Sequence, residues 1–315
     1  MTRRAVFLYN PVSGRRLAQG GIIEVSAELW RKAGYETSMI ATTGPGGATT
    51  QAAEVVARGC DVLFACGGDG TVHEVLQALV ASGTSTALAV LPLGTGNVIA
   101  NNLALPHGSP VAATMQLEYR PRRIAVGALT STLLGGEIER RYFLAAAGLG
   151  MHARMMYEAN SVAKNRGGMS AYYRSGFRLM FREPMREFSI LLTRPDGSTE
   201  SHQAHEVLAV KVEQFSGIVR RWRPGCSLLD PTLQLMLVKT QNRLRILSGS
   251  LRCMVGGTPK IGGVEIIRAI GAECRALPSG APAQVLAEAD GEVLGTLPAD
   301  ISVIPDALTL LMPTK

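Results

Sequence analysis

A glycine-rich motif follows the apolar run at residues 61–66 and consists of Gly67, Gly68, Asp69, Gly70 and Thr71. Glycines let the backbone turn sharply and approach a ligand without a Cβ in the way, and phosphate is a ligand typical of such loops. Thr71 and Glu74 have the spacing of a capping box, which predicts a helix directly after the loop with its positive dipole end towards an anion. A single motif of this kind is more often a plain tight turn with a helix cap.

A second glycine loop follows the next apolar run, which ends at Leu93. It contains Gly94, Thr95, Gly96 and Asn97, and an amphipathic stretch begins at residue 98. The order of apolar run, glycine loop with a hydroxyl, and helix is therefore repeated. Loops that follow neighbouring strands of a sheet lie close together, so we expect both loops to line one phosphate-binding cleft.

Two carboxylates stand close together near the end of the chain, at Asp290 and Glu292, with Gly291 between them. Phosphoryl transfer to an alcohol needs a group that accepts the hydroxyl proton and cations that offset charge on the phosphoryl group. If this stretch is an extended strand, both carboxylates point to the same side, because side chains alternate along a strand. The alternative is a polar turn, for which Asp-Gly is a common signal.

The elements that must position these groups alternate between short apolar runs and amphipathic stretches over the first 105 residues. This βαβα order predicts a sheet that is at least partly parallel and covered by helices, with ligands at the carboxyl ends of the strands. Polar or glycine-rich segments follow each apolar run, at residues 10–11, 42–44, 67–71 and 94–97. The motifs therefore fall where such a sheet binds its ligands.

After Pro121 the pattern changes to short segments of alternating polarity, at residues 124–129, 141–147, 188–193, 207–212, 233–238 and 264–269. This pattern predicts a second, mainly β domain. The sequence Pro-Asp-Gly-Ser at 195–198 predicts the turn of an antiparallel hairpin. One helical segment is expected in this half, at residues 170–181.

The bulk composition is that of a globular protein, with 46% hydrophobic and 18% charged residues. The 5 cysteines, without a C-x-x-C pair, indicate neither a disulfide framework nor a zinc site and fit a reducing cytoplasm. The apolar run at residues 5–9 is too short for the core of a signal peptide. No run of about 18 apolar residues predicts a transmembrane helix.

Three motifs together resemble one known family. They are N-P-x-S-G, formed by Asn10, Pro11, Ser13 and Gly14, then G-G-D-G-T at 67–71 and P-L-G-T-G-N at 92–97. They look like the diacylglycerol kinase catalytic-domain family, which also includes sphingosine and ceramide kinases and bacterial lipid kinases. Further matches follow in the family's order, at 147–153 (AGLGMHA), 164–172, 229–230 and 290–292. The resemblance therefore runs through the whole chain.

The resemblance implies two domains with a cleft between them. An α/β nucleotide-binding domain of the NAD kinase and diacylglycerol kinase type is expected at residues 1–125 and 300–315, and a C-terminal β-sandwich domain at residues 126–299. The implied cofactors are ATP and Mg²⁺, and the implied reaction is transfer of the γ-phosphate to a lipid hydroxyl. Diacylglycerol, a related glycerolipid or a sphingoid base is the expected acceptor.

The resemblance also assigns roles to individual residues. Those expected to contact ATP are Asn10, Pro11, Ser13, Gly14, Thr42, Gly67, Gly68, Asp69, Gly70, Thr71, Val72, His73, Gly94, Thr95 and Asn97. Asp69, the only acid among them, would organise Mg²⁺ beside the phosphates. Glu292 would accept the proton of the lipid hydroxyl, and Asp290 would share the metal and water network.

Asp230 matches a position at which some bacterial members of the family bind a structural Mg²⁺, partly through backbone oxygens near Ser227 and Thr232. Pro231 stands here in place of the usual glycine. A surface turn without a metal is therefore at least as compatible with the sequence.

Basic residues are concentrated between residues 151 and 260, with 17 Lys and Arg against 8 Asp and Glu, which suggests an anionic partner. Two clusters with interleaved aromatic residues predict peripheral contact with an anionic membrane surface. They contain Arg174, Arg178, Arg182, Arg220, Arg221 and Arg223. The alternative is an ordinary solvated face over a packed stripe. No nucleic-acid-binding module accompanies these arginines, so nucleic acid is not an expected partner.

The expected setting is the cytoplasm, with peripheral contact at the inner membrane surface. The expected substrate is a membrane lipid, and a homodimer is an admissible assembly.

Two other functions stay open. An NAD kinase-like enzyme shares the G-G-D-G-T loop, although the 290–292 element and the second glycine loop favour a lipid kinase. A non-catalytic nucleotide or lipid sensor of the same fold is the other, and the presence of both late carboxylates argues against it. The glycines of 147–153 imitate a dinucleotide fingerprint, but no helix is expected after them.

Overall fold

The computed structural model describes residues 2–11, 16–133, 135–156, 184–215, 227–254, 262–278 and 284–314. The chain divides into two compact units. Unit 1 contains residues 1–126, 212–220 and 305–315, and unit 2 contains residues 127–211 and 221–304.

Unit 1 is built on a parallel sheet. Its strands are β1 (Arg3–Tyr9), β2 (Tyr35–Ala41), β3 (Val62–Gly67), β4 (Ala87–Pro92) and the last part of β15 (Glu292–Met312). They lie in the order β2-β1-β3-β4-β15, and each neighbouring pair is parallel. Every residue of β3 and β4 is buried, which is typical of parallel strands covered on both faces.

Helices cover this sheet and bury its aromatic residues. They are α1 (Arg16–Lys32), α2 (Gly47–Ala57), α3 (Asp69–Ser82), α4 (Val98–Asn102) and α5 (Val111–Leu117). Phe7 and Phe64 stack with their ring centroids 4.3 Å apart, and Trp30 of α1 meets Phe64 edge-on at 4.9 Å. The indole of Trp30 also donates to the carbonyl of Ala113 in α5 at 2.9 Å. The core therefore fixes α1 and α5 against the sheet.

The strand order places a topological switch point at β1. Its two neighbours are β2, the next strand in sequence, and β3, the one after that. Ligands of open parallel sheets bind outside the carboxyl ends of the strands at such a point. Here those ends lead into residues 10–11 and 67–71, which are two of the segments expected to follow strands at the ligand-binding edge of the sheet.

Unit 2 is a β-sandwich of antiparallel strands. They are β5 (Arg120–Thr132), which starts in unit 1, β6 (Ile138–Phe143), β7 (Ala146–Leu149), β8 (Phe188–Thr193), β9 (Thr199–Ala204), β10 (Glu206–Val210), β11 (Leu233–Val238), β12 (Val264–Ala269), β13 (Gly271–Ala276), β14 (Leu286–Ala289) and the first part of β15. One layer has the order β12-β11-β10-β7-β14-β15, and β9, β8 and β13 continue from β15 in the other. One apolar cluster joins residues of both layers.

The predicted fold class, an α/β domain with a mainly β second domain, is confirmed. The turn predicted at 195–198 joins β8 to β9 as an antiparallel hairpin. A helical segment at residues 151–156 follows β7, contrary to the sequence-based expectation. A further helix, α6 (Arg243–Met254), follows β11. Within the described ranges, no helix is both long and apolar enough to cross a bilayer.

Candidate functional site

A cavity of about 400 Å³ opens at the carboxyl ends of β1, β2 and β3 in unit 1. The residues that line it are Asn10, Pro11, Thr42, Thr43, Gly44, Pro45, Ala48, Gly68, Gly70, Thr71 and Glu74. Six of them belong to the set that the sequence assigned to ATP. The structure therefore brings together residues that are up to 64 positions apart in sequence, from Asn10 to Glu74.

The first glycine loop turns directly into α3. Gly68 is the N-cap residue and Asp69 is the first residue of the helix. A Cβ at Gly67 would lie 2.3 Å from the hydroxyl oxygen of Thr71, so the buried Thr71 side chain occupies the space that the glycine leaves. Gly70 and Thr71 in the first turn of this 14-residue helix line the cavity. Its backbone N–H groups and dipole favour an anion there.

The predicted capping box of Thr71 and Glu74 is wrong, because the helix begins at Asp69, three residues earlier than that pattern requires. Glu74 instead reaches the start of α2. Its carboxylate oxygens accept the N–H groups of Gly46 at 3.0 Å and Ala48 at 2.9 Å. Glu74 therefore satisfies the first turn of α2 and holds the 42–46 segment beside the cavity. No nearby residue in the sequence indicates this contact, since the two partners of Glu74 are 26 and 28 residues away.

The second glycine loop lies directly against the first. A Cβ at Gly94 would be 2.4 Å from the Cα of Gly68, so the two backbones meet where no side chain fits. Asn97 closes the second loop, because its amide accepts the N–H of Gly94 at 3.1 Å and donates to the Gly94 carbonyl at 2.7 Å. Thr95 is exposed at the tip of the loop. The two loops therefore lie at one edge of the sheet, but no residue of the second loop lines the cavity, so a phosphate-binding cleft shared by both loops stays a prediction.

Asp69 ties the two loops together. Its Oδ1 accepts the N–H of Val98, the first residue of α4, at 2.6 Å. A carboxylate has about four lone-pair positions, and this bond uses one of them. Mg²⁺ usually takes one or two protein carboxylates, keeps several waters, and draws its other ligands from substrate phosphates. The Asp69 carboxylate fits that kind of site, and in the described part of the chain no cluster of three or more His, Cys, Asp or Glu residues would hold a metal alone.

Seven described residues assigned to ATP do not line the cavity, and they are Gly67, Asp69, Val72, His73, Gly94, Thr95 and Asn97. The side chains of Val72 and His73 are buried inside unit 1, with 5% and 4% exposed, so a ligand at the cavity meets their backbone at most. The amide of Gln77 lies 3.4 Å from the His73 ring. Ser13 and Gly14 lie outside the described residues.

In unit 2, the segment with the two late carboxylates is a turn at residues 290–291, which is the alternative that the sequence left open beside an extended strand. Asp290 and Gly291 have φ angles of 48° and 87°, and Ala289 pairs directly with Glu292 across the hairpin of β14 and β15. This is the geometry for which Asp-Gly is favoured. Glu292 is exposed at the start of β15. The relation between the two side chains is therefore set by the turn and not by strand alternation.

Backbone amides from a distant segment hold the Asp290 carboxylate. Its Oδ1 accepts the N–H groups of Ala145 at 2.9 Å and Ala146 at 3.1 Å, and its Oδ2 accepts that of Leu144 at 2.9 Å. The N–H of Asp290 in turn donates to the Ala146 carbonyl at 2.8 Å. Asp290 therefore joins the hairpin to the segment that leads into β7.

The Asp230 turn is held by two cationic side chains. The guanidinium of Arg268 pairs with Oδ2 of Asp230, and its Nε donates to the hydroxyl of Thr232 at 2.8 Å. The ammonium group of Lys211, a residue only 1% exposed, donates to the Asp230 carbonyl at 2.6 Å. Oδ1 of Asp230 accepts the N–H and hydroxyl of Thr232. A divalent cation would meet two positive charges here, so these residues do not fit the structural Mg²⁺ site that the resemblance suggested.

The pKa of Asp230 follows from this arrangement. Burial raises the pKa of the carboxyl, but the bonds from Arg268 and Thr232 outweigh burial, so the pKa lies below its usual value. Ser227 contributes a hydroxyl that accepts the N–H of Leu229 at 3.3 Å. The site is an ion-paired turn.

A cluster of buried ionisable groups lies beside the Asp290 turn, and sequence reasoning missed it. Glu288 is 1% exposed and Glu206 is 7% exposed, and His152 Nδ1 lies 3.2 Å from Glu288 Oε1. Burial lowers the pKa of the His152 ring, but both carboxylates outweigh burial and raise it overall. Burial raises the pKa of Glu206. The signal available in the sequence was a glutamate at a strand position two residues before Asp-Gly.

The arginines predicted to contact a membrane lie outside the described residues. They are Arg174, Arg178, Arg182, Arg220, Arg221 and Arg223, and the helix expected at 170–181 falls in the same part of the chain.

Sequence profiles of two domain families match the chain. The diacylglycerol kinase catalytic domain matches residues 4–129, and the YegS C-terminal NAD kinase beta sandwich-like domain matches residues 145–312. Both matches agree with the expected family and with the observed fold of each unit.

Curated relatives carry the name diacylglycerol kinase. The protein from Bacillus subtilis (strain 168) is 31% identical over 241 residues, which is 76% of this chain and 75% of that protein. The protein from Staphylococcus saprophyticus is 36% identical over 180 residues, which is 57% of this chain and only 56% of the relative's length.

Solved structures share the fold. A diacylglycerol kinase from Bacillus anthracis str. Sterne superimposes with a TM-score of 0.72 at 19% identity, covering 99% of this chain and 97% of that one. Yeast NADH kinase in complex with NADH superimposes with a TM-score of 0.52 at 11% identity, covering 100% of this chain and 84% of that one.

Proposed function

The chain belongs to the diacylglycerol kinase catalytic-domain family of lipid kinases, and we propose that it transfers the γ-phosphate of ATP to the hydroxyl of diacylglycerol or a related membrane lipid. The observation that supports this most is the contact between the two glycine loops at the carboxyl ends of β3 and β4. The relatives' names support a diacylglycerol-type acceptor, and a sphingoid base is the second candidate.

ATP is proposed to bind at the cavity of unit 1. Its phosphates would meet the glycine backbones and the amino end of α3, where there is no Cβ to keep the chain away. Asp69 is the carboxylate proposed to hold Mg²⁺. The cation, when bound, offsets negative charge on the transferring phosphoryl group.

Glu292 is proposed as the proton acceptor. The lipid hydroxyl oxygen forms a bond to the γ-phosphorus, the bond from that phosphorus to the bridging oxygen of ADP breaks, and the hydroxyl proton goes to the Glu292 carboxylate. Asp290 is proposed to support this network from the same turn. Its bonds to residues 144–146 keep the turn in place.

The proposal is tested by supplying γ-³²P-ATP and Mg²⁺ to the full chain with diacylglycerol, sphingosine or a total bacterial lipid extract. We expect label in the organic phase and identify the product by mass spectrometry. Glu292→Gln is expected to lower the rate by about 10²–10⁴-fold, the usual contribution of a general base. Glu137→Gln is the matched control, because Glu137 is an exposed glutamate of the same unit in the turn before β6.

Two outcomes would overturn the proposal. Label appearing in water-soluble NADP when NAD is supplied would establish the NAD kinase-like alternative, which the likeness to yeast NADH kinase keeps in view. ATP binding without turnover on any lipid or NAD would establish a non-catalytic binding protein.

Membrane contact is part of the proposal. A kinase of membrane lipids must reach its substrate at a bilayer surface, and each basic side chain near an acidic leaflet adds about 1 kcal/mol. We propose that the chain acts at the cytoplasmic face of the membrane through the arginine clusters at 174–182 and 220–223. Sedimentation with phosphatidylglycerol vesicles should exceed that with phosphatidylcholine vesicles, and Arg221→Ser/Arg223→Ser should reduce the difference. Equal sedimentation with both vesicle types would contradict this contact.

A further inference from the structure

Glu288 is a buried carboxylate on β14, two residues before the Asp290 turn, and the proposed reaction gives it no part. Its residue is only 1% exposed, and it lies opposite Gly148 of β7 in the sheet of unit 2. Burying a carboxylate in a protein interior is costly, so its presence calls for a reason.

One oxygen of Glu288 bonds to the turn itself. Oε2 accepts the N–H of Gly291 at 2.9 Å. That N–H belongs to the peptide group between Asp290 and Gly291, and one more peptide group separates it from the Cα of Glu292. The bond therefore fixes the turn at the residue before Glu292.

The other oxygen meets the segment at 147–153, a motif with no role in the proposed reaction. Oε1 lies 3.2 Å from Nδ1 of His152, the second residue of the helical segment after β7. A Cβ at Gly148 would lie 3.2 Å from Oε1 and 3.4 Å from the same Nδ1, so the glycine leaves the space in which the two side chains meet. Gly148, His152 and Glu288 form one contact between β7 and the turn.

The hairpin does not need this contact in order to close. An Asp-Gly turn with positive φ at both residues is already a favoured two-residue connection. Replacing a buried ion pair by apolar side chains is often neutral or stabilising, so a Leu at 288 would serve folding equally well. Glu206 of β10, itself buried, adds a second negative charge near His152 and Glu288. We therefore infer that Glu288 and its neighbours orient the Asp290 turn more than they stabilise unit 2.

We propose that Glu288 is a positioning residue for Glu292, which acts by accepting the Gly291 N–H while its other oxygen lies beside the His152 ring in the space that Gly148 leaves. This inference rests on the proposed phosphoryl transfer. Since misplacing a reacting group by about 1 Å costs as much as 10²-fold in rate, loss of the bond should lower kcat. ATP is proposed to bind through unit 1, so KM for ATP should stay the same.

The experiment compares Glu288→Ala, Glu288→Gln and Glu137→Ala in steady-state assays with the full chain, ATP and the lipid that the wild type phosphorylates. Glu288→Ala should lower kcat by about 10-fold to 100-fold, with KM for ATP changed less than about twofold. Glu288→Gln should recover most of the rate, because the amide oxygen still accepts the Gly291 N–H and the amide NH₂ donates to a neutral His152. Glu137→Ala should match the wild type.

Hydrogen–deuterium exchange gives a readout that does not depend on activity. The Gly291 amide should exchange faster in Glu288→Ala than in the wild type and at the wild-type rate in Glu288→Gln, while amides of β8 and β9 are unchanged. Faster exchange throughout unit 2 would mean that Glu288 only maintains the fold, which would overturn the inference.

The kinetic measurements can also overturn the positioning role of Glu288. A wild-type kcat in Glu288→Ala, or an equal loss in Glu288→Gln and Glu288→Ala, would overturn the positioning role. A wild type that phosphorylates no lipid would instead overturn the proposed function, and the exchange measurement at Gly291 would still decide whether Glu288 holds the turn.

Discussion

Two aspartate turns of unit 2 look alike in sequence and differ in what holds them. At Asp230 the carboxylate bonds to Thr232, two residues away, and to the guanidinium of Arg268. At Asp290 the carboxylate accepts three backbone N–H groups from a segment about 145 residues away. The first turn is a local structure closed by charge, whereas the second is a connection between distant parts of the unit.

The difference indicates which turn is suited to chemistry. Backbone amides have fixed directions once the main chain is folded, so a carboxylate that binds three of them has a defined orientation. Arg268 is a long side chain with 55% of its surface exposed, and an exposed ion pair gives little orientation and little stability. We therefore expect substitutions at the Asp290 turn to affect both rate and folding, and substitutions at the Asp230 turn to affect folding alone.

The largest effect is expected for Asp290→Asn. The amide oxygen can still accept the N–H groups of Ala145 and Ala146, but the amide NH₂ would face the N–H of Leu144, which also donates. The free energy of unfolding should fall by about 1–3 kcal/mol, the cost of an unsatisfied buried donor, as measured by urea denaturation. Lipid phosphorylation should fall as well, beyond what the unfolded fraction explains. An unchanged unfolding free energy would remove the distinction between the two turns.

Lys211→Met should have the next largest effect, and on stability. Lys211 is buried, and Met keeps its length while removing the donor to the Asp230 carbonyl. We expect a loss of about 1–3 kcal/mol in the unfolding free energy, by the same urea measurement. Lys239→Met is the matched control, because that lysine is more exposed and pairs with Glu265 at the surface. A smaller loss in Lys211→Met than in the control would contradict the role assigned to the buried ammonium.

Arg268→Ala should cost less at neutral pH, up to about 1 kcal/mol, and should leave the transfer rate within about twofold of the wild type. Because the folded-state pKa of Asp230 lies below the ordinary carboxyl value of 3.8, its ion pair stabilises the fold above that pH and the contribution is lost as pH falls through the lowered pKa. Without Arg268 this part of the acid sensitivity should disappear. Unfolding curves between neutral pH and acid test this, and identical pH dependence in both proteins would contradict it.

The smallest effect is expected for Mg²⁺ at the Asp230 turn. Millimolar MgCl₂ should shift the Tm of the wild type and of Asp230→Asn by the same amount, because Arg268 and Lys211 already supply the positive charge there. Differential scanning fluorimetry after EDTA treatment measures the shift. A shift seen in the wild type and absent from Asp230→Asn would establish a metal site at this turn.

Local patterns accounted for the scaffold and for the place of the candidate site. Buried runs such as 62–67 and 87–92 are strands, and the glycine loops that follow them meet at one edge of the sheet. These features depend on short-range residue preferences and on the alternation of strands and helices. Both can be recognised in a single sequence.

Local patterns failed where a residue's partner is far away in sequence. Glu74 had the spacing of a capping box for α3, but its carboxylate stabilises the start of α2. Asp290 and Glu292 had the spacing of a strand face, but Asp-Gly forms a turn held by residues 144–146. In both cases the residue types indicated a structural or chemical role, but no nearby residue in the sequence indicated the bonding partner.

The sequence by itself determined the family, the two-part architecture and the candidate residues for chemistry, because glycine loops and paired carboxylates can be recognised from residue type and spacing. Only the tertiary structure decided how those residues are held: Asp69 by α4, Asp290 by backbone amides, Asp230 by Arg268 and Lys211, and Gly291 by Glu288. The physical reason is that tertiary packing brings the two groups of each bond together. Such a contact produces no repeating pattern of residue types that could be recognised in the sequence.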